Sequence, residues 1–157
     1  MLYRTQCPTC HACEPLRIPV ARFSPTESQK RARKRNADVT VEVGKPALTY
    51  DRLKLYNRHK AERGLSTRDE PLTPQGYRNW LVDTCADTRE VRYFVARRLV
   101  AISILDIGRR TASSVYHYFD PDEAKRSLGV FRVVRELEVC AEAGLEWYYM
   151  GFYVEDC

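Results

Sequence analysis

Three thiols at a repeated two-residue gap, Cys7, Cys10 and Cys13, are the first groups in this chain able to do chemistry. Thiolates are ligands for zinc and for iron–sulfur clusters, and that gap lets neighbouring sulfurs reach one metal. A fourth ligand would come from His11, from Cys157 or from a further N-terminal cysteine not in this sequence, and the alternative is a cluster of reduced thiols. A second group follows at once: Ser28, Gln29, Lys30, Arg31, Arg33, Lys34 and Arg35. Arginine pairs bidentately with phosphate and lysine acts as a point charge, so this run suits a polyanion such as nucleic acid. The plain alternative is a solvated helix face. Farther along, Asp106 sits near the end of an apolar run, where it is either a turn residue or a carboxylate able to take a proton in a dry cleft. Tyr116, Tyr149 and Tyr153 either line a pocket and stack on a base or pack as core. Ser127 and Gly129 open a helix whose free backbone N–H groups a substrate can approach. Asp120, before Pro121, reads as a turn and cap residue; His59 and His117 read as surface or satisfied structural residues. No Ser-His-Asp order, P-loop or dinucleotide fingerprint is present.

These residues need a scaffold, and 157 residues suit one domain with a real core. The chain is 44% hydrophobic and 30% charged, with net charge +5, which fits a globular protein. No apolar run approaches the roughly 20 residues needed to span a bilayer. Met1 is followed by no basic-then-apolar leader, so no secretory signal, reduced cysteines and a cytoplasmic setting are expected.

Ser24-Pro25-Thr26-Glu27 reads as a helix start with Ser24 as cap, the helix running to about Arg35. Val39 to Val43 alternates as a short strand. Thr49 can cap a second helix ending near Gly64, and Thr73-Pro74 opens a third with Tyr77, Trp80, Leu81 and Cys85 as its apolar stripe. Val91 to Val95, Leu99 to Ile107 and Ser113 to Phe119 read as strands of a meander. A helix over about Val130 to Ala143 closes at Gly144, and an aromatic strand over Trp147 to Val154 follows. Because that last strand follows a crossover helix, it is expected parallel to a meander strand. The parts divide into a Cys-containing segment over 1–23, a helical part over 24–85, and a sheet with its crossover helix over 90–157. This order is α+β and compatible with a GNAT-like acyltransferase fold, a central mixed, mostly antiparallel sheet flanked by helices.

The run CxxCxxCxPLRIPVxxFxPxxSQxRxxKRN, from Cys7 to Asn36, resembles the aminoacyl-tRNA–protein transferases, the arginyltransferases and the bacterial aspartate/glutamate leucyltransferases. Matches continue in order through Leu55-Tyr56, Ile102 to Ile107, Ser114-Val115-Tyr116, Phe119-Asp120-Pro121, Ser127-Leu128-Gly129, and Gly144-Leu145 followed by Tyr149 to Tyr153. The family's Gly-x-Arg-Arg-Ser-Gly stretch and its Lys-Met-x-Tyr-Lys segment are absent, so the resemblance implies a catalytic domain that is either a fragment, a mis-started or truncated form, or a short divergent homologue. It implies transfer of arginine or leucine from aminoacyl-tRNA to proteins beginning with Asp or Glu, marking them for N-end-rule degradation, with no cofactor required for transfer. It also implies a metal or redox role at Cys7, Cys10 and Cys13, and a cation reading the acidic side chain, with Arg17, Arg22 and Arg92 as candidates. On it, Asp106 and Tyr116 are the expected catalytic pair. Ser28, Gln29, Lys30, Arg31, Lys34, Arg35, Ser127, Gly129 and Tyr149 are the expected tRNA-binding set. Two rivals stand beside it: an inactive tRNA- or degron-binding remnant, and a cysteine-based metal- or redox-sensing module.

Overall fold

The computed structural model describes residue 9 and residues 12–65 and 70–154. Its frame is one six-stranded sheet in the order β1-β6-β5-β4-β3-β2. The strands are β1 (Glu14–Pro19), β2 (Val39–Gly44), β3 (Asp87–Val95), β4 (Arg98–Ile107), β5 (Thr111–Phe119) and β6 (Trp147–Tyr153). All neighbours are antiparallel except β5 and β6, which the crossover helix α4 (Leu128–Glu142) connects in parallel. The last strand is therefore parallel to a meander strand, as expected. The apolar run before Val20 is itself an edge strand, β1, which its short and proline-bounded pattern does not announce.

Alternation along β4 builds the two cores. Ala101 and Leu105 face one side with Tyr93, Phe131, Leu137 and Tyr148. Ile102 and Ile104 face the other with Leu55, Tyr56, Tyr77, Leu81 and Tyr118. Thus α4, with α1 (Glu27–Arg35) packed on it, covers one face; α2 (Tyr50–Glu62) and the short α3 (Pro74–Tyr77) cover the other. No helix of the described residues is long and apolar enough to cross a membrane.

Two local expectations change. The cap of α1 is Thr26, not Ser24: Thr26 Oγ1 accepts from Gln29 N at 3.4 Å, and Gln29 Oε1 accepts from Thr26 N at 2.8 Å. Gln29 at the third helical position completes this reciprocal pair, so the helix starts two residues later than Pro25 suggests. The third helix is also cut short. After one α turn it widens to a π turn over Arg78–Val82, so only Tyr77 and Leu81 are buried while Trp80 and Cys85 are exposed.

Glu90 on β3 is fully buried, and Arg52 of α2 sits 3.1 Å from it. Burial pushes the Glu90 carboxyl up, opposed by Arg52 and Arg92. Removing the Arg52 guanidinium leaves the buried carboxylate only the longer Arg92 contact, at 3.8 Å. Arg52→Ala is expected to cost about 3–5 kcal/mol. The pair Arg52→Leu/Glu90→Leu should recover most of that. Urea unfolding of the three proteins checks both values.

Candidate active site

The sheet opens where β5 and β6 meet. They pair only at Thr111–Trp147, Ala112–Tyr148 and Ser113–Tyr149. Beyond Ser113, β5 runs on to Phe119 while β6 keeps its partner β1 on the other side. Each strand carries an irregularity at this place. Register against β4 slips between Ile104–Tyr116 and Leu105–Ser114, which leaves Val115 as the extra residue. Register between β1 and β6 slips between Leu16–Gly151 and Arg17–Tyr149, leaving Met150 extra, and Gly151 takes φ 111°. A bulge bends its strand and re-aims a side chain, and a glycine tolerates that φ without a Cβ clash.

A cleft of about 350 Å³ lies along the unpaired part of β5. Ser114, Val115, Tyr116, His117 and Phe119 form its strand wall, and Gly129 and Arg132 of α4 with Met150 of β6 face them. The end of α2 closes one side with His59, Arg63 and Leu65. At its mouth Tyr116 is in edge contact with the exposed Trp80, ring centroids 6.1 Å apart, and lies 5.7 Å from Tyr56. Burial raises the Tyr116 phenol above its ordinary pKa, so it stays protonated.

Beneath the cleft lies a buried polar cluster. Arg132 Nη1 donates to Ser114 Oγ at 2.7 Å and to Glu136 Oε2 at 3.1 Å. The Tyr148 and Tyr93 hydroxyls both donate to Glu136, which has no exposed surface. His117 Nδ1 contacts Ile102 O at 3.0 Å and Ser103 Oγ at 3.1 Å. Burial, then the Arg132 charge, holds the His117 pKa well below 6.5; burial lowers that of His59 too. His59 is itself hydrogen-bonded to the Phe119 backbone.

The expected site residues fall into three places. Tyr116 and Gly129 line the cleft together. Asp106 does not line it: its neighbours by alternation are Ile102 and Ile104, and its carboxylate accepts from Thr88 Oγ1 at 2.6 Å, which in turn meets Thr84 Oγ1 at 2.7 Å. Ser127 and Tyr149 flank the cleft, Ser127 directly before α4 and Tyr149 as the last β6 residue paired with β5.

The basic set sits on α1. Ser28, Arg31 and Lys34 are exposed, Gln29 serves the cap, and Lys30 is 2.8 Å from Glu27. Lys30 and Lys34 also border a hollow of about 570 Å³ between α1, β2 and α4, together with Arg33 and Arg135. Arg35 acts differently, because its Nη1 donates to Lys125 O at 2.8 Å and Ser127 Oγ at 3.0 Å. Asn36 adds bonds to Ala32 O and Arg126 O, both 2.8 Å. The basic helix is thereby fixed to the segment that begins α4.

Of the three candidate acid-reading cations, Arg17 stacks on Trp147 at 4.1 Å, Arg22 ends the turn after β1, and Arg92 borders another hollow at the start of α2. That hollow, about 710 Å³, is larger than the cleft, but most of its arginines are paired: Arg52 with Glu90, and Arg58 and Arg98 with Asp120. Asp120 also accepts from Asp122 N at 3.1 Å, the cap role expected of it. Cys13 is half-buried just before β1; Cys7 and Cys10 lie outside the described residues. Among the described residues no group of three or more His, Cys, Asp or Glu side chains is arranged to hold a metal. Arg132, His117, Ser114 and Met150 are cleft residues that sequence reasoning misses. The bulges that bring them there leave no composition signal.

Residues 51–157 match the family model described as arginine-tRNA-protein transferase, C terminus, and residues 1–31 match the corresponding N-terminal model. The chain belongs to this family. An aspartate/glutamate leucyltransferase of Pseudomonas savastanoi pv. phaseolicola (strain 1448A / Race 6) is 35% identical over 156 residues, covering 99% of this chain. The chain spans 66% of that relative's length. Among solved structures, L-PGS from Bacillus licheniformis superposes with TM-score 0.67 at 13% identity, over 90% of this chain and 45% of that one. A GCN5-related glucosamine N-acetyltransferase region of a fungal multidomain β-N-acetylglucosaminidase gives TM-score 0.59 at 14% identity, over 92% and 18%. The fold of this family member is thus the GNAT-like acyltransferase fold, with its sheet parted between the parallel strands.

The two depressed histidines make the fold acid-sensitive. Below the ordinary value of 6.5 the unfolded chain takes up protons that the folded chain refuses, so stability falls with pH from about 6.5 downward. Urea unfolding at pH 7.5, 6.5 and 5.5 should show this fall, and a shallower slope in His117→Gln. Glu90, which pulls the opposite way, is common to both proteins, so the difference in slope belongs to His117.

Proposed function

We propose that this chain carries the transferase chemistry of its family: it moves an amino acid from aminoacyl-tRNA to the N-terminal amine of an acceptor protein. The observation that carries this reading is the parting of β5 from β6 beside the start of α4, lined by Tyr116, Ser114, Gly129 and Arg132. An aminoacyl ester is already activated. The protein has to hold ester and amine together and keep water away, which is catalysis by proximity. The exposed backbone edge of β5 and the first turn of α4 offer hydrogen-bond donors for the ester end of the tRNA. Tyr116 keeps its proton and offers a neutral donor at the same wall.

The 35% identical relative is named an aspartate/glutamate leucyltransferase, which supports leucine as the transferred residue and an acidic residue at the acceptor's N-terminus. A product of this kind would enter N-end-rule degradation. Asp106, outside the cleft and bonded to Thr88, is assigned to supporting the β3–β4 pair rather than to proton transfer. The cysteines at 7, 10 and 13 would hold a metal as thiolates, and no step of the transfer is routed through them. The setting that suits this chemistry is the cytoplasm, where charged tRNA is available.

The deciding experiment incubates the purified chain with leucyl-tRNA or arginyl-tRNA and peptides beginning with Asp, Glu or Ala. Leucine appearing on the Asp and Glu peptides, and not on Ala, is the expected result. No transfer from either tRNA, with tRNA still bound, would favour the inactive binding remnant instead.

The basic face of α1 makes a second, separate expectation. Arg31→Glu/Lys34→Glu leaves the Arg35 anchor intact and should weaken tRNA binding. It should also reduce the slope of log K against log salt by roughly 0.7–0.9 for each phosphate no longer neutralised. Filter binding across a salt series measures both. An unchanged slope would move the tRNA surface off this helix.

A further inference from the structure

Two guanidiniums line the cleft, those of Arg63 and Arg132, and no carboxylate does. Arg132 is shared with Glu136. Arg63 is exposed, and the carboxylates nearest to it in the chain and to Phe119 are taken. Glu62, Asp120 and Asp122 all pair with Arg58, so Arg63 makes no ion pair among the described residues.

The position of Arg63 is built by the fold. It ends α2, and a Schellman turn closes that end: Leu65 N donates to Lys60 O at 3.0 Å and Gly64 N to Ala61 O at 3.2 Å. Gly64 takes φ 61° there, which glycine adopts freely. The Arg63 guanidinium carbon lies 5.2 Å from the centre of the Phe119 ring, itself part of the cleft wall. An aromatic face at that distance attracts a cation and holds it in place. Burial chiefly lowers the pKa of His59 and His117, and the Arg63 charge adds to the effect on both. The cleft therefore holds one exposed positive charge without a counterion, set beside Phe119 and Leu65.

Such a group takes an anion. A tRNA phosphate belongs to a row of charges, which proteins meet with several cations on an open face, as α1 offers. A single guanidinium on an aromatic ring, next to a leucine, suits a single carboxylate, which its planar fork can grip with two hydrogen bonds. Resting on the transferase reading, the acceptor brings a carboxylate here. The side-chain carboxylate of an N-terminal Asp or Glu is only a few bonds from the reacting amine. A residue that reads it must line the same cleft. Arg17, Arg22 and Arg92 do not, and Arg63 does.

We infer that Arg63 reads the side-chain carboxylate of the acceptor's N-terminal residue, with Phe119 and Leu65 shielding the contact from water. It is a specificity-determining residue and takes no part in the proton transfers.

The test measures binding without transfer. Peptides beginning with Asp, Glu, Asn or Gln carry a fluorophore at the C-terminus. The full chain is mixed with excess RNA minihelix whose 3′ amino acid is amide-linked and unable to react. Fluorescence anisotropy should show the wild type binding the Asp and Glu peptides roughly 10–100-fold more tightly than Asn and Gln, as expected for a hydrogen-bonded charge pair. Arg63→Gln should lose that preference by weakening the Asp and Glu peptides alone. Arg63→Lys, which keeps the charge without the fork, should fall between. Filter binding of tRNA should be the same for the wild type and Arg63→Gln. A wild type that binds no Asp peptide, or binds Asp and Asn alike, would overturn the inference. So would an Arg63→Gln protein that keeps the wild-type preference, and weaker tRNA binding by that protein would then assign Arg63 to a phosphate. An Arg63-dependent preference in a chain that transfers nothing from charged tRNA would set aside the transferase reading and leave the contact standing.

Discussion

Glu136 is a carboxylate with no exposed surface, and the geometry of the cleft depends on how it is satisfied. A buried charge is tolerated only when opposite charge and hydrogen bonds surround it. Here Arg132 comes from the preceding turn of the same helix, Tyr148 from β6 and Tyr93 from β3. One side chain therefore ties α4 to two strands that are not neighbours in the sheet. Arg132 extends the tie to β5 through Ser114. Ser114 is the residue after the last β5–β6 pair, and Tyr148 lies inside that pairing. The polar cluster thus sits at the fork of the sheet. It holds the two arms at a fixed spread where backbone pairing no longer does so.

The same need for charge balance governs the cations. Arginines close to the sheet are engaged in structure: Arg52 with Glu90, Arg58 and Arg98 with Asp120, Arg126 with Asp38 and Glu123. Such pairs neutralise their own field and leave little for a polyanion. The face of α1 differs, with Arg31 and Lys34 exposed beside a hollow bordered by further basic residues. Total charge would not reveal this, since +5 is modest for the length. What matters is which cations stay available, and that depends on contacts between residues far apart in the chain. Arg35 shows the distinction within one run: it belongs to the basic stretch in sequence and to the α4 anchor in space.

Much of the frame is legible because its signals are local. Thr49 before Tyr50, Pro74 after Thr73, Gly144 just past Glu142 and the alternation along β4 are all read within a few residues. The parallel last strand follows from the crossover helix. Where pattern and structure part, the cause is choice among neighbours. Ser24 and Thr26 are both good caps, and Gln29 decides between them. The stripe Tyr77, Trp80, Leu81, Cys85 fits an α-helix, but a π turn rotates Trp80 outward. The cleft is half legible. Tyr116 and Gly129 are marked by their neighbourhood in the chain. His117 looks like an isolated histidine, because nothing in the sequence marks a bulge at Val115 that turns the next residues relative to their partners. Asp106 is attractive for its place at a strand end, and Thr88, directly opposite on β3, explains it without catalysis.

A site made by parting two strands suits the proposed joining of two large substrates. Each wall belongs to a different strand, and each strand is bulged at the fork. Holding two reactants in such a fork can supply on the order of 7–11 kcal/mol of a bimolecular barrier without any strong acid or base. That fits the residues present: a protonated phenol, a neutral imidazole, a serine hydroxyl and one guanidinium already shared with a carboxylate. None of these is a potent nucleophile. A cleft so furnished is poorly suited to attacking an unactivated amide, and well suited to orienting an ester that arrives activated. The chemistry of the lining and the chemistry of an aminoacyl ester therefore point the same way, and the burden of specificity falls on what the walls recognise rather than on what they react with.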